Sequence, residues 1–408
     1  MKARLFLVVF GILGSAACVA QRDDDAARRG ASTQGQGEGQ GDGGSGPTHP
    51  PCVSATTIAN TIGGDYVIPR DIDERGGVIG SADVGGGVAR AFSWRDGVLT
   101  DLGTLGGSGS DALATNDRGE VVGYSALPGG TTPTRAVLWK DGAIVDLGTL
   151  GGDFSIAGDI DNAGRIVGNS LTSSGETHAF VWEGGTMTDL GTLGGSFSTA
   201  LRINDRGQIL GRSRTAGDAA VHAVLWEDGE MTDLGPYVPE LNARGQILLA
   251  ASPEAYLWER GSRTTIVPFG DAMSTSAFGL NDRGQVIGAV ARPTGPTTFL
   301  WDDGRTTEVG AGLTLLALNT HAEVVGYACT GADPRAFVWK DGTLTFLSGP
   351  GERTVALTLN DRGQILGTAA PGLAVVWEAR ACGATDAGGG PGDGGGPGDD
   401  GGGPGKTW

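Results

Sequence analysis

One phrase close to Ile-Asn-Asp-Arg-Gly-Gln-Val-Val-Gly returns eight times along the chain, with its turn residue at Asp73, Asn116, Asp161, Asn204, Asn242, Asn281, Asn319 and Asn360. Each copy is followed by a tryptophan: Trp94, Trp139, Trp182, Trp226, Trp258, Trp301, Trp339 and Trp377, spaced 45, 43, 44, 32, 43, 38 and 38 residues apart. A unit of about 40 residues cannot cover its own apolar faces, so such copies must pack on one another. That requirement overrides the two or three ordinary domains that 408 residues would otherwise suggest.

Within the fourth copy, Ser198–Asn204 reads as a first strand, and Asn204-Asp205-Arg206-Gly207 as a turn whose glycine supplies a positive φ. Gln208–Gly211 is a second strand and His222–Trp226 a third; Asp228-Gly229 is a hairpin signal leading to a fourth strand, Met231–Leu234. Short apolar strands with tight connections form an antiparallel meander. The ends of the array choose between an open solenoid and a ring. The eighth copy stops at Trp377 without a fourth strand, whereas Ala55–Gly64 near the other end matches the fourth-strand phrase Asp146–Gly152. An open solenoid has no reason to split a repeat. The expectation is an all-β fold: an eight-bladed β-propeller of four-stranded antiparallel blades, closed by an N-terminal strand that completes the last blade.

Cys52 precedes the displaced strand and Cys382 lies five residues past Trp377, so the two flank the gap and are expected to form a disulfide. Closing so long a loop contributes on the order of 3 to 5 kcal/mol in the chain-entropy model. Cys329 is then expected to be an unpaired, buried thiol.

The chain ends read differently. Residues 1–17 carry Lys2 and Arg4, the apolar run Leu5–Leu13 and the small residues Gly14–Ala17, the anatomy of an export signal. Cys18 directly after Ser15-Ala16-Ala17 resembles a lipobox, which makes it the expected lipidation site. Ser15 stands where lipoboxes usually carry Leu, so ordinary signal cleavage and secretion is the alternative. Residues 18–51 form a polar tether and 383–408 a Gly/Pro/Asp-rich tail, both too poor in apolar surface to offset ordering entropy. The domain proper is 52–382. A net charge of −18 without a basic cluster excludes a nucleic-acid groove. Membrane contact is expected only through a lipid on Cys18, at the outer membrane or cell surface, and the chain is expected to be monomeric.

His178-Ala179-Phe180 with Trp182, the segment Asp189-Leu190-Gly191-Thr192-Leu193-Gly194-Gly195 and the Asn-Asp-Arg-Gly turns resemble the HAF repeat of extracellular bacterial proteins. The resemblance covers residues 56–377. The name motif varies, as Arg90-Ala91-Phe92, His222-Ala223-Val224 and Arg335-Ala336-Phe337, and the fifth copy is short. The resemblance implies export and a repeat fold and brings no catalytic residues.

The search for chemistry mostly returns to the fold. His178 and His222 occupy one repeat position and have no partner at ligand spacing, so no metal site and no cofactor is expected. The Gly-Thr-Leu-Gly-Gly segments resemble phosphate loops but precede strands rather than a helix N-terminus, and read as crossings between blades. Residues that break the repeat are more informative. Two positions before the turn residue, the copies read Asp71, Ala114, Asp159, Arg202, Glu240, Gly279, Ala317 and Thr358. On an innermost strand, Asp71, Asp159, Arg202, Glu240 and Thr358 would line a channel. The connections Ala126–Thr134 and Leu171–Thr177 are the long, variable loops where binding tends to reside.

The expected function is a non-enzymatic surface module that binds a glycan, peptide or envelope protein. Two alternatives stand beside it. One is a polysaccharide hydrolase or lyase using Asp71, Asp159 and Glu240; the other is a purely structural envelope component.

Overall fold

A computed structural model describes residues 52–129, 134–329, 333–369 and 372–380. The export signal, Cys18, the tether, Cys382 and the tail lie outside them. Among the described residues the only helical element is a single 3-10 turn, Ala216–Asp218; everything else regular is strand.

Each copy forms a four-stranded antiparallel, propeller-like sheet. In the fourth copy Gly194–Ile203 pairs with Ile209–Thr215, that strand with Val221–Glu227, and that with Glu230–Gly235. Six sheets stand alone, while the third and fourth copies join through one parallel pair, Thr177 with Phe197. The eighth copy supplies Thr354–Leu359, Gln364–Ala369 and Leu373–Arg380, and Cys52–Ile58 lies antiparallel to the last of these with Ala55 opposite Trp377. In five copies the third and fourth strands are joined by Asp-Gly turns with both residues at positive φ, for example Asp96 at 50° and Gly97 at 87°, while Gly184-Gly185 and Arg260-Gly261 take the place in the third and fifth. Such a turn twists in the sense that flanking strands require.

A bulge recurs in the first strand of seven copies. The register jumps past Arg70, Leu113, Gly158, Leu201, Phe278, Leu316 and Leu357, each three residues before the turn residue. The fifth copy has none, pairing Pro239, Glu240 and Leu241 with Leu249, Leu248 and Ile247 in unbroken order. The cause is one side chain on the facing strand. The bulged copies end the Val-Val-Gly phrase in glycine, and a Cβ on that glycine would overlap a carbonyl of the first strand, as Gly326 with Thr314 O. Leu249 occupies the position in the fifth copy. Bulge and glycine are present together and absent together, because only a bare Cα admits that close approach.

The core lies between consecutive sheets. Phe92, Phe180, Phe299 and Phe337 are fully buried, and the alanine before three of them, Ala91, Ala179 and Ala336, is at 0% exposure. Phe337 and Trp339 of the seventh copy pack with Ile287 and Leu300 of the sixth. The first and eighth copies share a core in the same way, through Ile72, Phe92, Trp94, Leu366 and Val376, with Ile58 among them. Each fully buried phenylalanine contributes roughly 1.5–3 kcal/mol relative to exposure.

Polar contacts repeat with equal regularity. In six copies the turn Asn accepts backbone N–H groups two and four residues on, as Asn281 does from Arg283 and Gln285, and its Nδ2 reaches the backbone carbonyl of the next turn residue. These links run Asn116 to Asp161, Asn204 to Asn242, Asn242 to Asn281, Asn281 to Asn319, Asn319 to Asn360 and Asn360 to Asp73, at 2.8–3.1 Å. Asp73 and Asp161 have no amide to donate and instead hold arginines, Arg95 and Arg165.

Candidate functional site

The His-Ala-Phe histidines belong to the scaffold. His178 Nδ1 sits 2.8 Å from Asp189 Oδ2 and His222 Nδ1 2.8 Å from Asp233 Oδ1, across the third and fourth strands. Arg90 pairs with Asp101 at the same register, also at 2.8 Å. The aspartate's other role is to accept the N–H of the glycine two residues on, as Gly103, Gly191 and Gly235 show. Nearby, Ser110, Ser155 and Ser198 accept the alanine N–H of the preceding third strand and donate to the crossing glycine carbonyl. The Asp-Leu-Gly-Thr-Leu-Gly-Gly crossings are therefore clamps. Among the described residues, no group of three His, Cys, Asp or Glu is placed to hold a metal.

Cys329 is disulfide-bonded, which corrects the expectation of an unpaired thiol there. Cys382 and the Cys52 side chain lie outside the description. With four cysteines in the chain, a Cys52–Cys382 bond leaves only Cys18 within the same chain for Cys329, and an acylated Cys18 leaves only Cys52 or Cys382. Both earlier expectations cannot hold together in one monomer.

The repeat-breaking residues are placed more deeply than expected. Asp71, Asp159, Arg202 and Thr358 are 2%, 0%, 6% and 8% exposed, and the half-exposed position of the first strand is the bulge residue one place earlier. The inserted residue lies upstream of these positions, so their pairing with the second strand runs unbroken from the turn, as Asp71 opposite Ile79 and Ile72 opposite Val78. Three of the five still form one group on consecutive first strands. Asp159 Oδ2 accepts the Ile203 N–H of the next copy at 3.0 Å, and Arg202 Nη2 lies 3.6 Å from Glu240 Oε1. Burial pushes the Glu240 carboxyl up to about 7, opposed by Arg202 and reinforced by the nearby Asp159 charge. Asp71, on the first copy, has its Oδ1 accepting the N–H of Ile72. Of the three candidate carboxylates, Asp159 and Glu240 thus come from the strands on either side of the one that carries Arg202.

A second ionic cluster was not singled out from the sequence. Arg70 Nη2 lies 2.7 Å from Asp111 Oδ2, between the first and second copies. Burial holds the Asp111 carboxyl above its usual range against the pull of Arg70, and burial with the Asp111 charge raises the Tyr124 phenol. The signal was available: Arg70 is the one charged residue at a bulge position that is otherwise mostly Leu, Gly or Phe.

On the face that carries the crossings and the second-to-third connections, a cleft of about 410 Å³ opens at the seventh crossing. Asp333, Arg335, Ser348, Gly349, Glu352 and Thr354 are among its walls. Part of the connection Ala126–Thr134 lies outside the described residues, while Leu171–Thr177 closes as a tight turn through Thr172 and Glu176.

No family model matches the chain, and no curated protein matches it. Among solved structures, the chain is similar to the β-propeller domain of the Trilobed protease from Pyrococcus furiosus, at 12% identity over 70% of this chain and 97% of that one, with a TM-score of 0.46. It is also similar to YCF48 bound to D1 peptide, at 15% identity over 84% of this chain and 98% of that one, with a TM-score of 0.42.

Proposed function

We propose that the sheets are the eight blades of a closed ring and that the protein is an exported, non-enzymatic binding or scaffold module. Its ligand on this reading is a glycan, peptide or envelope protein, held on the crossing face. Closure is supported by the strand Cys52–Ile58 beside Leu373–Arg380 and by the hydrogen bond from Asn360 to the Asp73 carbonyl. The observation that carries the functional reading is that the recurrent polar residues are committed to the scaffold. The histidines hold aspartates, the serines hold crossings and the asparagines hold neighbouring turns, which leaves non-repeating residues on the crossing face to make contacts with a partner.

The enzyme alternative rests on Glu240, whose raised carboxyl has a general acid's property. Its pairing with Arg202, itself 6% exposed, suits a structural ion pair better. The test is retention of glycans and solubilised envelope proteins by the full exported chain. Saturable retention of at least one component is expected. A chain that retains none while staying folded leaves the structural alternative.

A further inference from the structure

The seventh crossing departs from the first three in composition and length. The first three crossings read Asp-Leu-Gly-Thr-Leu-Gly-Gly, whereas this one reads Phe346-Leu347-Ser348-Gly349-Pro350-Gly351-Glu352. It runs from 346 to the clamp residue Thr354, one residue shorter than the run from Asp101 to Ser110. The aspartate is replaced by Phe346, and the Arg335 guanidinium lies over its ring at 4.5 Å. The second leucine, which in Leu105, Leu150 and Leu193 packs against the core, is replaced by Pro350. A shorter crossing without that leucine leaves the 410 Å³ cleft. Its size falls in the range of roughly 300–1,000 Å³ typical of small-ligand sites.

The walls decide the ligand class. Asp333 is paired with Arg353 at 2.8 Å, so the acidic side of the cleft is partly neutralised. Glu352 contributes acceptors, Arg335 donors, and Thr354 and the glycine backbone further polar groups. Leu347 is the one large apolar side chain in the lining, so the cleft is predominantly polar. An anionic ligand would meet two carboxylates, a cationic one would meet Arg335, and an apolar one would strand every polar wall group. A peptide adding as a strand needs an open sheet edge, and this cleft lies in the crossing between two sheets. A neutral sugar offers hydroxyls that donate and accept at once, which suits walls carrying both carboxylates and a guanidinium. We infer that the cleft at the seventh crossing binds a neutral glycan; the inference rests on the binding-module reading and assigns that module its site.

The experiment uses the full chain and three neutral probes: maltohexaose, cellohexaose and chitohexaose. Residues 346–353 are exchanged for the segment Asp189–Phe197, which restores the common crossing and fills the cleft with a sequence that the fold already accommodates. Glu352→Gln and Arg335→Ala serve as separate single variants, and a change at the opposite-face hairpin, Asp303→Asn, as the control. Wild type and control are expected to bind at least one probe, the exchange to weaken that binding tenfold or more at unchanged Tm, and each single variant to weaken it severalfold. Glycan binding that survives the exchange overturns this site and leaves the binding module standing. Retention of envelope protein but of no glycan overturns the ligand class. If the wild type retains nothing at all, both readings fall together.

Discussion

Replacing Asn281 by Asp changes one atom type at the junction between two copies, and the structure allows its cost to be worked out. Asn281 is 2% exposed and makes four hydrogen bonds: Oδ1 accepts from Arg283 N and Gln285 N, and Nδ2 donates to Gln285 Oε1 at 2.7 Å and Asn319 O at 2.8 Å. Asp keeps both acceptors and loses both donors. The new oxygen then faces two acceptors. Gln285 cannot simply turn its amide over, since its Nε2 donates to Asp302 Oδ2 at 2.9 Å. Losing the link costs about 1 kcal/mol, and leaving the Asn319 carbonyl unpaired adds roughly 1–3 kcal/mol. Asn281→Asp should therefore lower stability by about 3 kcal/mol at neutral pH, read from urea titrations followed by tryptophan fluorescence. The deficit should shrink in acid, because a buried carboxyl with no cation beside it has its pKa raised and its protonated form regains a donor. The copies that carry Asp naturally supply the control: Asp161→Asn with Arg165→Gln recreates the arrangement of the other six and should change stability by less than about 1 kcal/mol. An Asn281→Asp variant as stable as wild type across that pH range would refute the claim that the asparagine links hold neighbouring sheets.

Other expectations follow from single sites. Glu240 has a folded pKa of about 7 against an ordinary 4.5, so the folded state binds more protons between those values; stability is full below about 4.5 and declines as pH rises through 7. Glu240→Gln should flatten that decline, which at 1.36 kcal/mol per unit is on the order of 3 kcal/mol, and an unchanged pH profile would show that Glu240 is not the group responsible. Gly326→Ala should destabilise by more than about 3 kcal/mol, since its methyl would overlap the Thr314 carbonyl, whereas Leu249→Ala at the same repeat position should cost an ordinary core truncation of about 2–5 kcal/mol without a change of register. The two are distinguished by amide exchange in the first strand. Non-reducing peptide mapping should find Cys329 in a disulfide; a free thiol there would overturn that assignment.

The placement of Glu240 shows how far local reading reaches. Its residue type and its position two before the turn were legible, and so was its oddity within the repeat. Its surroundings were not, because they depend on Asp159 and Arg202 arriving from two other copies at matching height. Arg70 and Asp111 were passed over for the opposite reason: each breaks the repeat at a different register, and only the bulge brings the two registers side by side.

From the chain alone one can read the period, the four strands of each copy, the Asp-Gly hairpins, the scaffold role of the histidines and the displaced strand near the N-terminus that pairs beside Trp377. All of these are written within about 40 consecutive residues or in the comparison of one copy with the next. The tertiary structure decided which face each first-strand residue takes, which charges meet, and where a cleft opens. Those outcomes arise between copies. A backbone carbonyl that fits only against a bare glycine shifts a whole strand by one residue, and one missing leucine in a crossing becomes empty space only once the neighbouring sheet is in place.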